Sequence, residues 1–498
     1  METPALLWLV LTPLFGAVAI ALLGRWPNLR EGATLLTAVA LFLQVIPFAP
    51  EVLDGARPTL TVFPVMKGVP LAFTLEPLGM LFALIASFLW IIASVYSIGY
   101  MRGNNEKNQT RFYVCFALAI AFTMGIALAG NLFTLFLFYE ALTLSTYPLV
   151  THKGDKAALQ GGRVYLGILI STSIGFLLIG ILWTYSLTGT LDFTEGGILE
   201  GHASGSVVVI LTLLFMYGIG KAALMPIHRW LPAAMVAPTP VSALLHAVAV
   251  VKAGVFAVVK VIVYIFGLDL LNGTGGTDWL LYVAGFTVIA ASLVALRQDN
   301  LKRRLAYSTV SQLSYVILAA AILAPLSIAG AALHIAAHAF GKITLFFAAG
   351  SIYTAAHKTN VSQLDGIGRR MPYTMAAFAI GALSMIGVPP TVGFLSKWLM
   401  LSAAFDTQTW FAIAIMVGST ILNAAYFLPI VYAAFLKPEK APEHGDGHHD
   451  AHDHGEAPLP IVLALCVTAF GTVLLFFLPD LPLGLADDLA AIAEGTQP

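Results

Sequence analysis

Apolar residues run along this chain in stretches of 18 to 30 positions, separated by shorter polar segments. About 20 apolar residues cross a bilayer core as a helix. Fourteen such spans are predicted: 4–23, 33–50, 72–99, 112–129, 131–150, 164–187, 206–228, 241–267, 279–296, 305–323, 327–355, 373–402, 410–436 and 458–479. None shows the ten-residue alternation of a membrane β-barrel, so the spans are helices. Composition agrees. The chain is 59% hydrophobic and 10% charged, with mean hydropathy +0.87, whereas a soluble domain carries about 25% charged residues. The prediction is an all-α polytopic membrane protein.

Placing the N-terminus outside and alternating the spans puts 18 lysines and arginines in inside loops and two, Arg57 and Lys67, in outside loops. That asymmetry is the positive-inside rule, and it predicts a multi-pass protein of the cell (inner) membrane with both termini outside. METPALLWLV lacks a basic leader and a small-residue cleavage site, so it reads as a retained first span. The net charge of −1 argues against a nucleic-acid partner. Cys115 and Cys466 lie in apolar segments and suggest neither a disulfide nor a metal site. The inside loop 437–457 holds His444, His448, His449, His452 and His454. Such tracts can bind transition metals, but without fixed spacing a solvated loop is the plainer reading, and no role is assigned.

The candidate chemistry lies in the charges within the spans. Five basic residues, Lys221, Lys252, Lys260, Lys342 and Lys397, fall inside apolar stretches, and one acid, Glu140, lies near the middle of its stretch. Intramembrane ionisable residues persist where they have a partner or a water-filled cavity, which makes them functional candidates. Glu140 also admits a structural reading, satisfied by a lysine or by a hydroxyl such as that of Thr143. Lys221 is followed by Pro226, which removes a backbone hydrogen bond and breaks the helix. The stretch MIGVPPTVGFLSKWLM repeats that design, with Pro389 and Pro390 before Lys397. Broken helices in corresponding positions of two halves point to a transporter site, and spans 4–8 and 9–13 are expected to form inverted repeats.

His246 and Lys252 share span 8 with Lys260, which lies nearer the outer end and suits a structural or a functional role equally. His246 suits a hydrogen-bonded core histidine as well as a site residue. His334, His338 and Lys342 are spaced i, i+4, i+8, a polar stripe about 12 Å long on one helix face. Ser311, Gln312, Ser314 and Tyr315 in span 10 are weaker candidates that suit helix-to-helix hydrogen bonds.

The blocks GKAALMPIHRWLPAAMVAPTPVSALLHAVAVVKAGV, HIAAHAFGKITLFFAAGSI and GVPPTVGFLSKW resemble the antiporter-like membrane subunits shared by respiratory complex I and Mrp-type cation/proton antiporters, over about residues 112–436. The resemblance implies about fourteen helices with two inverted five-helix units. The division is then an N-terminal segment 1–111, repeats 112–268 and 278–436, the histidine-rich loop 437–457, and a final helix and tail 458–498. It also implies that Glu140 pairs with Lys221, that Lys252 and His338 are central, and that Lys397 belongs to the second break. Protons would then move along Glu140, Lys221, Lys252, His338 and Lys397, with His246, His334, Lys342 and Lys260 in support.

Length favours a relative of the D-type component of Mrp antiporters, exchanging Na⁺ for H⁺ among other membrane subunits in the lipid bilayer. His246 and HRWLP also resemble complex I relatives, so a proton-pumping component of an NADH:quinone oxidoreductase or a related hydrogenase stays open. A partner in another energy-coupled complex and a self-sufficient antiporter are further alternatives. No GxGxxG, cysteine cluster or flavin motif occurs, so no redox centre and no cofactor are expected in this chain.

The orientation is testable by labelling. Lys156→Cys is expected to be protected from a membrane-impermeant maleimide in right-side-out vesicles, and Glu200→Cys to react. The opposite pattern would invert the topology.

Overall fold

The computed structural model describes residues 2–439 and 455–495. The protein is mostly helical. Helices α1 (Ala5–Leu22) and α2 (Pro27–Val45) precede a short helix α3 (Phe48–Leu53) and a two-stranded hairpin, β1 (Thr59–Met66) and β2 (Val69–Thr74). There follow α4 (Pro77–Gly103), α5 (Gln109–Ala127), α6 (Leu132–Val150) and α7 (Lys156–Thr188, with a π turn at Ser173–Leu177). Next come α8 (Ser206–Gly218), a broken stretch, α9 (Thr239–Phe266), α10 (Asp278–Arg297), α11 (Leu301–Ala321) and α12 (Pro325–Ala356). The chain then runs through α13 (Pro372–Ile386), a second break, α14 (Val392–Asp406), α15 (Trp410–Leu436), α16 (Leu459–Phe477) and α17 (Asp480–Glu494).

Among the described residues, eleven helical segments are long and apolar enough to cross a membrane. Two of the remaining predicted spans are represented by the shorter apolar helices α8 and α13, each ending at a break. The third, α11, is polar along much of its length through Ser308, Thr309, Ser311, Gln312 and Ser314. The start of the third predicted span is corrected. Residues 69–74 form β2, antiparallel to β1 with Thr59 opposite Thr74, and the helix starts at Pro77. The residue before a proline is pushed to extended backbone, and Glu76 at φ −112°, ψ 170° is the hinge between strand and helix.

Helix starts follow local chemistry. Pro27, Pro77, Pro325 and Pro372 open their helices, where a missing N–H costs nothing. The side chains of Asn131, Asp155 and Asn300 accept from the first-turn N–H groups of Thr134, Ala158 and Arg303. At the inner end (inner and outer follow the distribution of basic residues) Arg102 of α4 and Arg30 of α2 share Glu31.

Burial is inverted relative to a water-soluble fold. Large apolar side chains such as Trp8, Leu22, Phe286 and Phe470 face outward, as a lipid-facing surface requires. The most hydrophobic stretches of α9 and α12 are completely buried. The charges on those two helices, Lys252, Lys260 and Lys342, are therefore fully enclosed by protein.

One glycine is essential to that packing. Gly254 of α9 lies against the Lys221–Ala222 backbone of the first break, and a Cβ there would collide with main-chain atoms that cannot move aside. Overpacking costs about 1–3 kcal/mol. Gly254→Ala is expected to lower the thermal midpoint of the purified protein, whereas Gly273→Ala, with open space around it, should leave it unchanged.

Candidate functional site

The first break begins where α8 ends at Gly218. A single turn, Gly220–Ala222, holds Lys221, and Ala223 then adopts a left-handed conformation at φ 56°. The indole N–H of Trp230 donates to the freed Gly220 carbonyl at 2.9 Å. Lys221 is fully buried. Its ammonium donates to the Tyr139 carbonyl at 2.8 Å and to Thr143 Oγ1 at 2.5 Å, and it lies 3.1 Å from the centre of the Tyr139 ring. The backbone N–H of Lys221 donates to the Tyr139 hydroxyl at 3.0 Å.

The expected Glu140–Lys221 ion pair is thus not closed. Consecutive helical positions point about 100° apart, and it is Tyr139, not Glu140, that faces the break. Glu140 is half-buried on the flank of α6, and its Oε1 is sequestered without a hydrogen-bond partner.

The centre lies between α9 and α12. Lys252 Nζ and His338 Nδ1 are 2.6 Å apart, and both residues are buried. Either can supply the proton of that bond: an ammonium donating to imidazole, or an imidazole N–H donating to a neutral amine. Towards the second break, His334 Nδ1 lies 2.9 Å from Ser396 Oγ on α14, and the His334 and His338 rings are 6.3 Å apart. Lys342 Nζ donates to Ser308 Oγ at 2.8 Å, and the Tyr426 hydroxyl reaches the same Ser308. The stripe of His334, His338 and Lys342 is buried along its whole length.

The second break repeats the logic with a different partner. α13 stops at Gly387, φ 91°, before Pro389 and Pro390. Lys397, on the first turns of α14, donates to the Met385 and Ile386 carbonyls at 2.6 and 3.1 Å. These are carbonyls at the end of a half-helix, which lack a following helical turn to bond and carry the negative end of its dipole. Beside Lys397 an apolar cavity of about 310 Å³, lined by Phe394, Trp398, Met416 and Ile421, opens towards the flank.

His246 sits in a π turn, Leu244–Val248, and neither ring nitrogen has a protein partner. Ser242 Oγ, one turn earlier, is likewise buried and unpartnered, as are both amide atoms of Gln312, Ser314 Oγ and the Nε2 atoms of His334 and His338. At the inner end, Thr239 helps to line a cavity of about 250 Å³ shared by Tyr100, Lys153, Lys302, Tyr353 and Lys358. Thr239, Ser242 and His246 are spaced i, i+3, i+7, on one face of α9 leading from that cavity inward.

Residues 129–423 match the family model described as "NADH:quinone oxidoreductase/Mrp antiporter, TM", and residues 66–113 match "NADH-Ubiquinone oxidoreductase (complex I), chain 5 N-terminus". The N-type component of NADH-quinone oxidoreductase from Desulforudis audaxviator is 34% identical over 440 residues, covering 86% of either chain. The chain belongs to the antiporter-like membrane subunits. The D-type component of the Na⁺/H⁺ antiporter from Alkalihalophilus pseudofirmus is 29% identical, covering 77% of this chain and 78% of its own. In fold, this antiporter-like protein superimposes on a chain of the Mrp complex from Dietzia sp. DQ12-45-1b with a TM-score of 0.85 at 23% identity, covering 98% of this chain and 96% of that one.

Every lysine and histidine of the buried axis lies within the longer matched segment of this antiporter-like chain. Tyr139, Ser308, Ser396 and Tyr426 hold the axis in place but were not singled out by the sequence, because a hydroxyl inside an apolar run carries no charge to mark it. Thr143 was legible only as a possible partner of Glu140. Ser311 and Tyr315 act as helix ties, bonding Ser292 Oγ at 3.0 Å and the Met416 carbonyl at 3.2 Å. Among the described residues no cluster suited to a metal ion occurs. The histidine-rich tract His444–His454 lies outside the described residues.

Removing the hydroxyl that holds Lys221 tests the site's construction. A hydrogen bond to a charged group contributes about 1.5–3 kcal/mol. Thr143→Val is expected to lower the thermal midpoint of the purified protein, and Thr143→Ser to retain it. Equal midpoints for Val, Ser and wild type would mean that Thr143 does not hold Lys221.

Proposed function

We propose that this chain moves protons across the membrane as an antiporter-like subunit of a larger complex. The observation that carries the reading is the set of neutral partners on the buried lysines. Lys221, Lys252, Lys342 and Lys397 bond to carbonyls, hydroxyls or an imidazole, and none is closed on a carboxylate among the described ion pairs. A lysine held this way can take up or release a proton without breaking an ion pair. The unpartnered atoms of Ser242, His246, Gln312, His334 and His338 support the same reading. Buried polar groups are hydrogen-bonded, and where protein supplies no partner, water does.

In this scheme protons enter from the inner cavity past Thr239, Ser242 and His246, reach the Lys252–His338 pair, and pass by way of His334 and Ser396 to Lys397. Glu140 and Lys221 form the opposite arm. Closing the Glu140–Lys221 pair would draw the ammonium away from Tyr139 and Thr143, which makes the pair a gate that is open in the present arrangement. The two broken helices support treating α5–α9 and α10–α15 as inverted halves, each with one break and one lysine at it.

Two assemblies fit. A D-like place in an Mrp-type Na⁺/H⁺ antiporter rests on the 29% identity to such a component. A place in the membrane arm of an NADH:quinone oxidoreductase-type complex rests on the higher 34% identity to an N-type component and on the chain 5 match at residues 66–113. In either, the partners are other membrane subunits.

Identification of co-purifying subunits separates them. The tagged chain would be extracted in mild detergent and its companions identified by mass spectrometry. Small antiporter subunits together with Na⁺-dependent collapse of ΔpH in vesicles would place it in an Mrp-type complex. Iron–sulfur and quinone-site subunits would place it in a redox-driven pump. Recovery of the chain alone, with full activity, would contradict membership of a larger complex.

A further inference from the structure

Lys260 differs from the other four intramembrane lysines. It lies on α9, eight residues beyond Lys252 and so about 12 Å further towards the outer end. Its ammonium is 3.0 Å from Glu76 Oε1, with both side chains almost completely buried. Glu76 stands at the start of α4, where it also accepts the backbone N–H groups of Leu78 and Gly79 at 3.2 and 3.1 Å and the Tyr264 hydroxyl at 2.8 Å. Lys260 spends a further hydrogen on the Ala129 carbonyl, at 2.8 Å, just beyond the end of α5. Phe193 of the outer loop covers the ammonium at 4.4 Å from its ring centre, and Phe256 lies at 5.4 Å.

The two ends of α9 are therefore built in opposite ways. At the inner end, Ser242 and His246 keep hydrogen-bonding capacity that no protein group uses, beside an open cavity. At the outer end, both carboxylate oxygens of Glu76 are engaged, and aromatic rings pack over Lys260. Outward of Lys252, the carboxylate packed against α9 is that of Glu76, and a proton bound there would neutralise it. That step breaks the ion pair and the cap of α4 together.

We infer that the Glu76–Lys260 ion pair, with Tyr264 and Phe193, closes the outer end of α9 and prevents protons that reach Lys252 from leaking out on that side. Glu76 is then a positioning residue: it holds Lys260 in the closure and takes no proton during turnover. Protons on α9 exchange with the inner cavity and leave only along the axis towards Lys221 or Lys397. This inference rests on the reading that the axis carries protons.

The test measures passive proton leak and driven translocation separately, in liposomes containing the intact complex. Leak is read as the decay of an imposed pH step without the driving substrate or cation gradient. Glu76→Gln is expected to raise the leak about tenfold, the scale of one lost charge-assisted hydrogen bond, and Tyr264→Phe to raise it by a smaller factor. Assembly is checked by size-exclusion chromatography and thermal midpoint. Wild-type leak in assembled complexes of both variants would overturn the closure. If Glu76→Gln fails to assemble, Tyr264→Phe alone decides: a raised leak supports the closure and a wild-type leak overturns it. Absence of driven translocation in the wild-type complex would instead contradict the function proposed above, an outcome distinguishable from an unchanged leak.

Discussion

Hydrocarbon offers a buried ammonium nothing to bond to, and this constraint shapes the interior of the protein. An unsatisfied polar group costs several kcal/mol in a membrane, and a charge costs more. Five lysines nevertheless lie inside the bundle, so the bundle has to manufacture acceptors for them. Neighbouring helices supply them as carbonyls, hydroxyls, an imidazole and one carboxylate, and at the second break an interrupted helix supplies them itself. The second break ends α13 at Gly387, and the Met385 and Ile386 carbonyls turn to Lys397. The first break places Lys221 on a single turn, from which it reaches the Tyr139 carbonyl and Thr143 of the neighbouring helix. Close packing at Gly254, and at Gly393, where a Cβ would strike the Ser384 carbonyl, lets these interrupted segments sit against continuous ones.

What the acceptors are decides what each lysine can do. Neutral acceptors leave a lysine able to exchange its proton, and the Lys252–His338 pair can carry one proton on either side of a single hydrogen bond. A carboxylate fixes the charge, as Glu76 does for Lys260. In the proposed scheme the same residue type therefore serves as a relay at Lys221, Lys252 and Lys397 and as a plug at Lys260. The difference lies in the neighbouring groups: neutral acceptors for the other four lysines, a carboxylate for Lys260. The enclosed position of α9 and α12 keeps the proposed relay from contact with lipid along its middle, while Glu140 is half-buried and Lys397 borders a cavity.

Much of this was legible in the sequence, because membrane spans are the strongest hydropathy signal a chain can carry and prolines mark helix breaks directly. The charged residues within spans marked the axis because a lysine in hydrocarbon needs a partner or a water-filled cavity, although Lys260 shows that such a partner can be an ion pair. What escaped were relations between helices. Glu140 is the conspicuous acid of α6, yet Tyr139, one position away, meets Lys221, and a turn of about 100° per residue cannot be resolved without knowing which face packs inward. Glu76 stands at the edge of an apolar run, where an acid looks like an ordinary loop residue. Only the fold brings it to Lys260, 184 positions later. The hairpin Thr59–Thr74 was hidden because its valines, leucines and phenylalanines blend into the hydropathy of the helix that follows.

Whether protons travel through the Lys252–His338 pair is tested most directly by replacing Lys252 with methionine, a side chain of similar length with no proton to exchange. The quantity to measure is the rate of driven proton translocation by the complex in sealed vesicles. An assembled Lys252→Met complex is expected to translocate at, or close to, the background rate of vesicles without protein. Translocation at the wild-type rate in assembled Lys252→Met complexes would show that the pair is not on the proton path, and the relay described here would be wrong.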